Sequence, residues 1–171
     1  RRAFFALLVH HLHPHAHAER RHAGLEFAPK RVRRRRQMLH DPAGSADGPL
    51  LAARFSSPSG ILRTTSGDLY VTDQCAIRKI SGGSVTTVAG DVTACGYVNS
   101  TDPRAARFSY PQGLTMDGAG NLYIADSNNY RVRQIVAGTL EVKLYAGSGT
   151  SGGANGVGAL AQFRYPTGIV Y

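Results

Sequence analysis

The sequence predicts an all-β chain built from repeated four-stranded antiparallel units, and three observations lead to this prediction. Segments of similar sequence recur at a nearly fixed distance along the 171 residues. The first two of these segments are followed by short runs that alternate polar and apolar residues and are rich in β-branched and aromatic side chains, as β-strands are. The chain also contains 20 Gly and no Trp, a composition that favours many turns.

The recurring segments read AARFSSPSGI at 52–61, AARFSYPQGL at 105–114 and AQFRYPTGIV at 161–170. One Phe, one Pro and one Gly keep their order in each segment, and the Phe residues are 53 and 55 positions apart. A period of this length that holds three residue types in register indicates a structural repeat. The repeated landmarks are Phe55, Pro58 and Gly60, then Phe108, Pro111 and Gly113, then Phe163, Pro166 and Gly168.

Each repeat is interpreted as four short strands joined by turns. In the first repeat the expected strands have the sequences GILRT, DLYVTD, AIRKI and SVTTVAG. In the second repeat they are expected at 113–117, 122–126, 131–136 and 140–147, with a glycine-containing turn at 118–121. A linker of about 16 residues then leads to the next Phe.

A unit of four antiparallel strands every 40 to 55 residues is typical of a β-propeller blade. The sequence therefore predicts a partial β-propeller at 41–171, with repeats at about 54–107 and 108–162 and a third begun at 163–171. One blade cannot bury both of its faces alone, and closed propellers typically have at least about four blades. We therefore expect the chain to be a fragment of a larger protein.

The order of these motifs resembles the NHL repeat family. The segments P-x-G-[IL], G-[ND]-L-Y-[VI]-[AT]-D and [IV]-R-[KQ]-I occur in this order in both full repeats, and the resemblance covers about 52–171. It implies a propeller whose loops form an interaction surface. The first repeat departs from the pattern, because DQCA stands where the second repeat has DSNNYR. Any function of that turn is therefore expected only in the second repeat.

Two charged residue types recur at one place in each repeat and are expected to be architectural. Asp73 and Asp126 end the second strands, where a carboxylate can accept hydrogen bonds from loop N–H groups. Arg78 and Arg133 follow in the third strands and are expected to pair with a neighbouring acid. A residue needed in every blade supports the fold, whereas a catalytic residue is normally unique in a chain.

The candidate ligand contacts are Asn128, Asn129 and Tyr130, which lie on a loop that only one repeat has. Residues 41–171 contain no His, so they offer no Ser–His or Cys–His dyad and no His-ligated metal site. The same residues contain one Glu, Glu141. The sequence therefore predicts no catalytic residue, no metal site and no cofactor, and an enzyme is the less favoured interpretation.

The favoured function is a non-enzymatic scaffold that binds a protein or a small ligand through its blade loops. One alternative is part of a metal-dependent propeller enzyme, a lyase or a gluconolactonase-like hydrolase, whose active site lies in blades outside this sequence. A second is an RNA-binding NHL propeller. Residues 41–171 carry ten basic and nine acidic residues, and this balance argues against a strongly basic RNA-binding face.

The first 40 residues differ from the rest in composition. They hold ten of the 20 Lys and Arg residues, all seven His and only two acids, and they are expected to form a disordered basic tail. Nucleic acid is an expected partner only through the block from Lys30 to Arg36. The start from Arg1 to Val9 weakly resembles a signal peptide, which leaves the compartment open, and no membrane span is expected. Cys75 and Cys95 are compatible with two free thiols or with a disulfide.

Overall fold

The computed structural model describes residues 44–171, so the predicted tail at 1–40 lies outside the described residues. The described chain consists of nine strands and two short 3-10 helices. The strands are β1 Gly48–Pro49, β2 Pro58–Arg63, β3 Leu69–Asp73, β4 Ala76–Ser81, β5 Ser84–Gly90, β6 Pro111–Met116, β7 Leu122–Asp126, β8 Arg131–Ile135 and β9 Val142–Ala146. The 3-10 helices are Ser127–Asn129 and Gly158–Leu160.

The strands form two antiparallel sheets, and the all-β prediction is confirmed. The first sheet has the order β1-β5-β4-β3-β2 and the second β6-β7-β8-β9. Eight of the strands lie within two residues of the positions expected from sequence. β1 was not expected: two residues upstream of the first repeat pair with β5 and make that sheet five-stranded. The short turn SNN is a 3-10 helix rather than a simple turn.

The two sheets are built to the same plan in detail. In each, the register shifts between the Pro and the residue after the Gly of the first strand, at Pro58/Ile61 and at Pro111/Leu114. A second shift precedes the repeated arginine, at Ile77/Arg78 and at Val132/Arg133. Both irregularities therefore recur at equivalent positions of the two sheets, as repeated β-bulges do.

The core lies between the two sheets. Blade one contributes Ile77 and Ala89, and most of the rest comes from the second blade and the linker before it. The first strands of the two blades approach so closely that a Cβ on Gly60 would collide with the carbonyl oxygen of Gln112. The hydroxyl of Thr72 donates to that same carbonyl over 2.8 Å. The buried core residues are Ile77, Ala89, Ala106, Phe108, Leu114, Leu122, Ile124, Ile135 and Val142.

The repeated Phe packs against the glycine that ends the preceding repeat. Phe108 is fully buried, and its ring lies 3.0 Å from the Cβ position of Gly90. Phe163 stands at the same 3.0 Å from the Cβ position of Gly147. Both glycines have positive φ, 84° and 104°, so a side chain would be strained there as well as crowded. The Ala-Gly pair that ends each repeat thus has a structural reason, because the glycine leaves room for the ring of the next Phe.

The residues after Pro166 lie beside β6, in the same way that β6 lies beside β2. Gly113 donates its N–H to the carbonyl of Thr167 over 2.8 Å, and Tyr171 donates to the hydroxyl of Thr115 over 3.2 Å. The described part of the chain contains no helix long and apolar enough to cross a membrane.

Cys75 and Cys95 are joined by a disulfide, with their Cα atoms 5.0 Å apart. The interpretation as free thiols is therefore wrong. The spacing of 20 residues did not reveal the pairing, because it depends on how the linker after β5 folds back. The bond ties the β3–β4 turn of the first blade to the linker that enters the second blade.

Candidate binding face

In these antiparallel sheets the β3–β4 turn, the β7–β8 loop and the two long linkers all lie at the same end of the strands, and we call this end the linker face. The β2–β3, β4–β5, β6–β7 and β8–β9 turns lie at the opposite end, the hairpin face. The sequence-predicted ligand contacts, Asn128 to Tyr130, lie on the linker face between β7 and β8. The geometry of this face follows from a buried arginine in each blade.

Arg78 joins three segments beneath the linker face of the first blade. Its Nη1 donates to the carboxylate of Asp73 over 3.0 Å and to the carbonyl of Arg54 over 3.1 Å. Its Nη2 donates to the carbonyl of Ala46 over 2.9 Å and its Nε to Asp47 over 3.1 Å. The side chains of Arg78 and Asp73 are fully buried. The other carboxylate oxygen of Asp73 accepts the N–H groups of residues 56 and 57.

Arg133 repeats this arrangement in the second blade. Its Nη1 donates to Asp126 over 3.0 Å and to the carbonyl of Arg107 over 2.9 Å, and its Nη2 donates to the carbonyl of Val98 and the side chain of Asn99, each over 2.8 Å. Asn99 stands where the first blade has Asp47. One carboxylate is thus replaced by an amide, and the Nε of Arg133 is buried without a partner.

Burial dominates the electrostatics of the second arginine. It raises the pKa of the Asp126 carboxyl despite the hydrogen bonds from Asn129 and Ser109 and the charge of Arg133. It lowers the pKa of Arg133 for the same reason, although Asp126 opposes that shift. Both ions are paired to each other inside the protein, so neither is offered to a ligand.

Asn129 belongs to this network rather than to the solvent-facing surface. Its Nδ2 donates to the carbonyl of Gly96 over 2.7 Å and to Asp126 over 2.8 Å, and the residue is half-buried. It therefore fastens the β7–β8 loop to the linker that enters the same blade. Asn128 is exposed, and its backbone N–H donates to the carbonyl of Ser109 over 3.1 Å.

Arg131 fixes the position of Tyr97. Its guanidinium carbon lies 3.8 Å from the centroid of the Tyr97 ring, a close cation–π contact. Its Nη1 donates to the carbonyl of Asn129 over 3.1 Å and its Nη2 to the carbonyl of Ser148 over 2.8 Å. Arg131 thus connects the entering linker, the β7–β8 loop and the leaving linker, and its charge is engaged within the protein.

Tyr97, Tyr130 and Tyr165 all lie on the linker face, and we call them together the tyrosine surface. The rings of Tyr130 and Tyr165 meet edge to face at 5.1 Å. Tyr97 is 37% exposed and Tyr165 54% exposed, whereas Tyr130 is half-buried. Tyr110 is 43% exposed and occupies the position equivalent to Tyr165, one repeat earlier.

Three of these tyrosines have left-handed backbone conformations. Tyr110, Tyr130 and Tyr165 have φ values of 48°, 53° and 46°. This conformation costs a bulky residue about 1 to 2 kcal/mol, and Gln74 in the β3–β4 turn of the first blade shares it, with a φ of 51°. The sequence shows part of this signal, because a Tyr-Pro pair occurs in two of the three landmarks. It gave no sign that Tyr97 would join the group, since that residue lies in a linker without periodicity.

Two cavities among the described residues lie away from the tyrosine surface. One of about 530 Å³ lies on the hairpin face, between the turn at 62–65 and the turn at 116–120. The other, of about 140 Å³, lies beside the rings of Tyr123 and Tyr145. Within residues 44–171 there is no group of three or more His, Cys, Asp or Glu side chains that could hold a metal ion.

Comparisons with known proteins agree with this architecture. Residues 108–135 match the NHL repeat family. No curated protein matches the chain. A solved structure from Bacteroides thetaiotaomicron, described as a protein of unknown function, is 27% identical with a TM-score of 0.61, over 67% of this chain and 30% of that chain.

Two further solved structures are described as auxiliary nutrient binding proteins. The one from Bacteroides thetaiotaomicron is 24% identical with a TM-score of 0.54, and the one from Bacteroides ovatus is 21% identical with a TM-score of 0.55. Each comparison covers 65% of this chain and 31% of that chain. The chain therefore spans about a third of the length of the structures that it matches, and those two similarities concern the fold. The described chain is therefore part of a β-propeller built from repeated antiparallel sheets, and its residues 108–135 are similar to the NHL repeat family.

Proposed function

We propose that the chain is a non-enzymatic scaffold that binds a protein or a small ligand through its linker face. The observation that carries the proposal is the tyrosine surface. Tyrosine supplies a large, rigid and amphipathic contact area at a low entropy cost, and it is enriched where proteins bind their partners. Tyr130 and Tyr165, which have left-handed backbone conformations and lie above a network of buried hydrogen bonds, match that use.

The surroundings of the tyrosine surface support the same proposal. The leaving linker at 147–158 reads GSGTSGGANGVG, a run of small residues and hydrogen-bonding groups that adapts to a partner. Asn128 adds an exposed amide beside the rings. Rigid aromatic anchors next to adaptable polar loops are the composition of a recognition surface rather than of a catalytic pocket.

The boundaries of the repeats belong to this proposal. We take 54–107 and 108–162 as two blades, with a third begun at 163–171, so that the tyrosine surface lies where the second blade meets the third. The two neighbours described as nutrient binding proteins share the fold with this chain. Their descriptions are the reason to test small ligands as well as proteins.

The test is a fragment screen by two-dimensional amide NMR on the full chain, with a library of small peptides, polyols and aromatic compounds. We expect the shifted resonances to cluster at Tyr97, Asn128, Tyr130 and Tyr165. Tyr130→Ala should remove the shifts, whereas Tyr145→Ala should keep them. Tyr145 is an exposed tyrosine on β9 whose ring meets that of Tyr123 edge to face at 4.8 Å. Shifts confined to the hairpin-face cavity would contradict the proposal.

A further inference from the structure

We propose that the tyrosine surface binds an uncharged polysaccharide by stacking its sugar rings on the aromatic faces. This inference rests on the proposed function and names the chemical class of its ligand. It is argued from three properties of the surface, namely the charges beneath it, the groups that it exposes and its shape.

The charged side chains beneath the tyrosine surface make their contacts within the protein. Arg133 and Asp126 are fully buried and pair with each other over 3.0 Å. Arg131 gives both Nη atoms to backbone carbonyls and stacks on Tyr97. The nearest exposed charge in the sequence is Arg164, at the rim beside Tyr165. A surface that offers one peripheral cation is poorly matched to a polyanion, which needs several cations along its length.

The groups left for a ligand are neutral. They are aromatic faces, phenolic hydroxyls, the amide of Asn128 and the hydroxyl and backbone groups of the linker at 147–158. An aromatic face carries negative charge density, so it attracts the weakly positive C–H face of a sugar ring. Neutral hydroxyl and amide groups both donate and accept, so they match sugar hydroxyls without the cost of desolvating an ion.

The shape of the surface favours a chain over a single small molecule. Small ligands are usually enclosed in concave pockets, whereas the tyrosines of this surface line neither of the two cavities named above. Tyr110 presents a second exposed ring at the equivalent position of the preceding repeat. A polymer that contacts rings on successive blades gains avidity from its repeating units, which a free monosaccharide does not.

The test is native affinity electrophoresis of the full chain in gels that contain dextran, soluble starch, galactomannan, arabinoxylan or mixed-linkage β-glucan. We expect at least one of these neutral polysaccharides to retard the chain. Tyr165→Gly should weaken that retardation by roughly tenfold or more in apparent Kd, and Tyr145→Ala should leave it unchanged. Glycine suits the left-handed backbone at 165, so this variant removes the ring without disturbing the fold, and its unfolding midpoint checks that directly.

Salt and charge separate the proposal from its competitors. Retardation should persist from about 50 to about 500 mM NaCl and in Arg164→Gln, because no ion pair carries the binding. Loss of binding in salt or in Arg164→Gln would overturn the proposal, because it would show that the charge of Arg164, and not the aromatic faces, carries the contact. Retardation by none of the five polymers would overturn it as well. If the fragment screen still placed peptides on the tyrosine surface, the scaffold function would stand and the partner would be a protein.

Discussion

The disulfide between Cys75 and Cys95 gives the most direct test of the structure. We consider reduction of the wild-type chain and, separately, the double variant Cys75→Ala/Cys95→Ala. Cys75 is fully buried in the β3–β4 turn, while Cys95 lies exposed in the linker that enters the second blade. Breaking the bond therefore leaves the first blade intact and frees the linker from it.

The expected magnitude follows from the length of the closed loop. A cross-link over a separation of 20 residues lowers the entropy of the unfolded chain, which corresponds to about 3 kcal/mol at 25 °C. With a urea m value of about 1.5 kcal/mol/M, this loss moves the unfolding midpoint down by about 2 M. Native contacts of the linker, such as the bond from Gly96 N–H to the Phe108 carbonyl at 2.9 Å, remain after reduction.

The assay is urea unfolding of the full chain with and without a phosphine reductant, followed by tyrosine fluorescence and circular dichroism. The double alanine variant is the control, because its midpoint should be low and should not respond to the reductant. Equal midpoints for the oxidised and reduced wild type would refute the reasoning. Two free thiols in the untreated folded chain, detected by mass after alkylation, would refute the bond itself.

Four further predictions follow from the same contacts. Gly113→Ala should destabilise the fold by about 2 kcal/mol or more in thermal unfolding, because its Cβ would collide with the Thr167 carbonyl. Gly168→Ala should be nearly neutral, because nothing lies within 4 Å of the Cβ position there. Equal costs for the two variants would argue against the close strand approach. Asp126→Ala should cost about 3 to 5 kcal/mol by leaving Arg133 buried and unpaired, but Asp47→Ala only about 1 kcal/mol because that carboxylate is 40% exposed; urea titration of both variants checks the ranking. The pKa of the Asp117 carboxyl is held below its ordinary value, chiefly by the hydrogen bond from the Asn121 side chain, so Asp117 contributes to stability above about pH 4 and loses that contribution as the pH falls through its folded-state pKa. The free energy of unfolding should therefore drop on acidification, and less steeply in Asp117→Asn. The same slope in both proteins would show that Asp117 does not cause the drop. Tyr165→Gly should be more stable than Tyr165→Ala by about 1 kcal/mol in differential scanning calorimetry, since only glycine relieves the left-handed backbone, and the reverse order would show that this conformation carries no strain.

The repeat and its strands could be predicted because they obey a local rule. Alternating side chains and a fixed period need no knowledge of distant contacts, so β7 was expected at the residues where the structure has it. The acid that ends a strand and the arginine that follows it also recur with the period. Their pairing within each blade could be expected for that reason.

The features that escaped prediction depend on how the linkers fold back. β1 is only two residues long, so it has no alternation to detect. Asn99 takes the place of Asp47 beside the repeated arginine, yet the spacing from each to its arginine differs by three residues, 31 against 34. The tyrosine surface gathers residues from two linkers and one loop, and only the Tyr-Pro pair among them is periodic.

The repeated arginine also shows that the unit of sequence and the unit of structure are out of phase. Arg78 needs Ala46 and Asp47, which precede the landmark Phe55, and Arg133 needs Val98 and Asn99, which precede Phe108. A chain that began at a landmark Phe would keep every residue of its sequence repeat. It would nevertheless lack the residues that accept hydrogen bonds from the arginine of that blade. Deleting one whole period from within a longer array would restore all of these contacts at the new junction. Gain and loss of complete periods is therefore structurally inexpensive in such a protein, whereas a change of where the array begins is not.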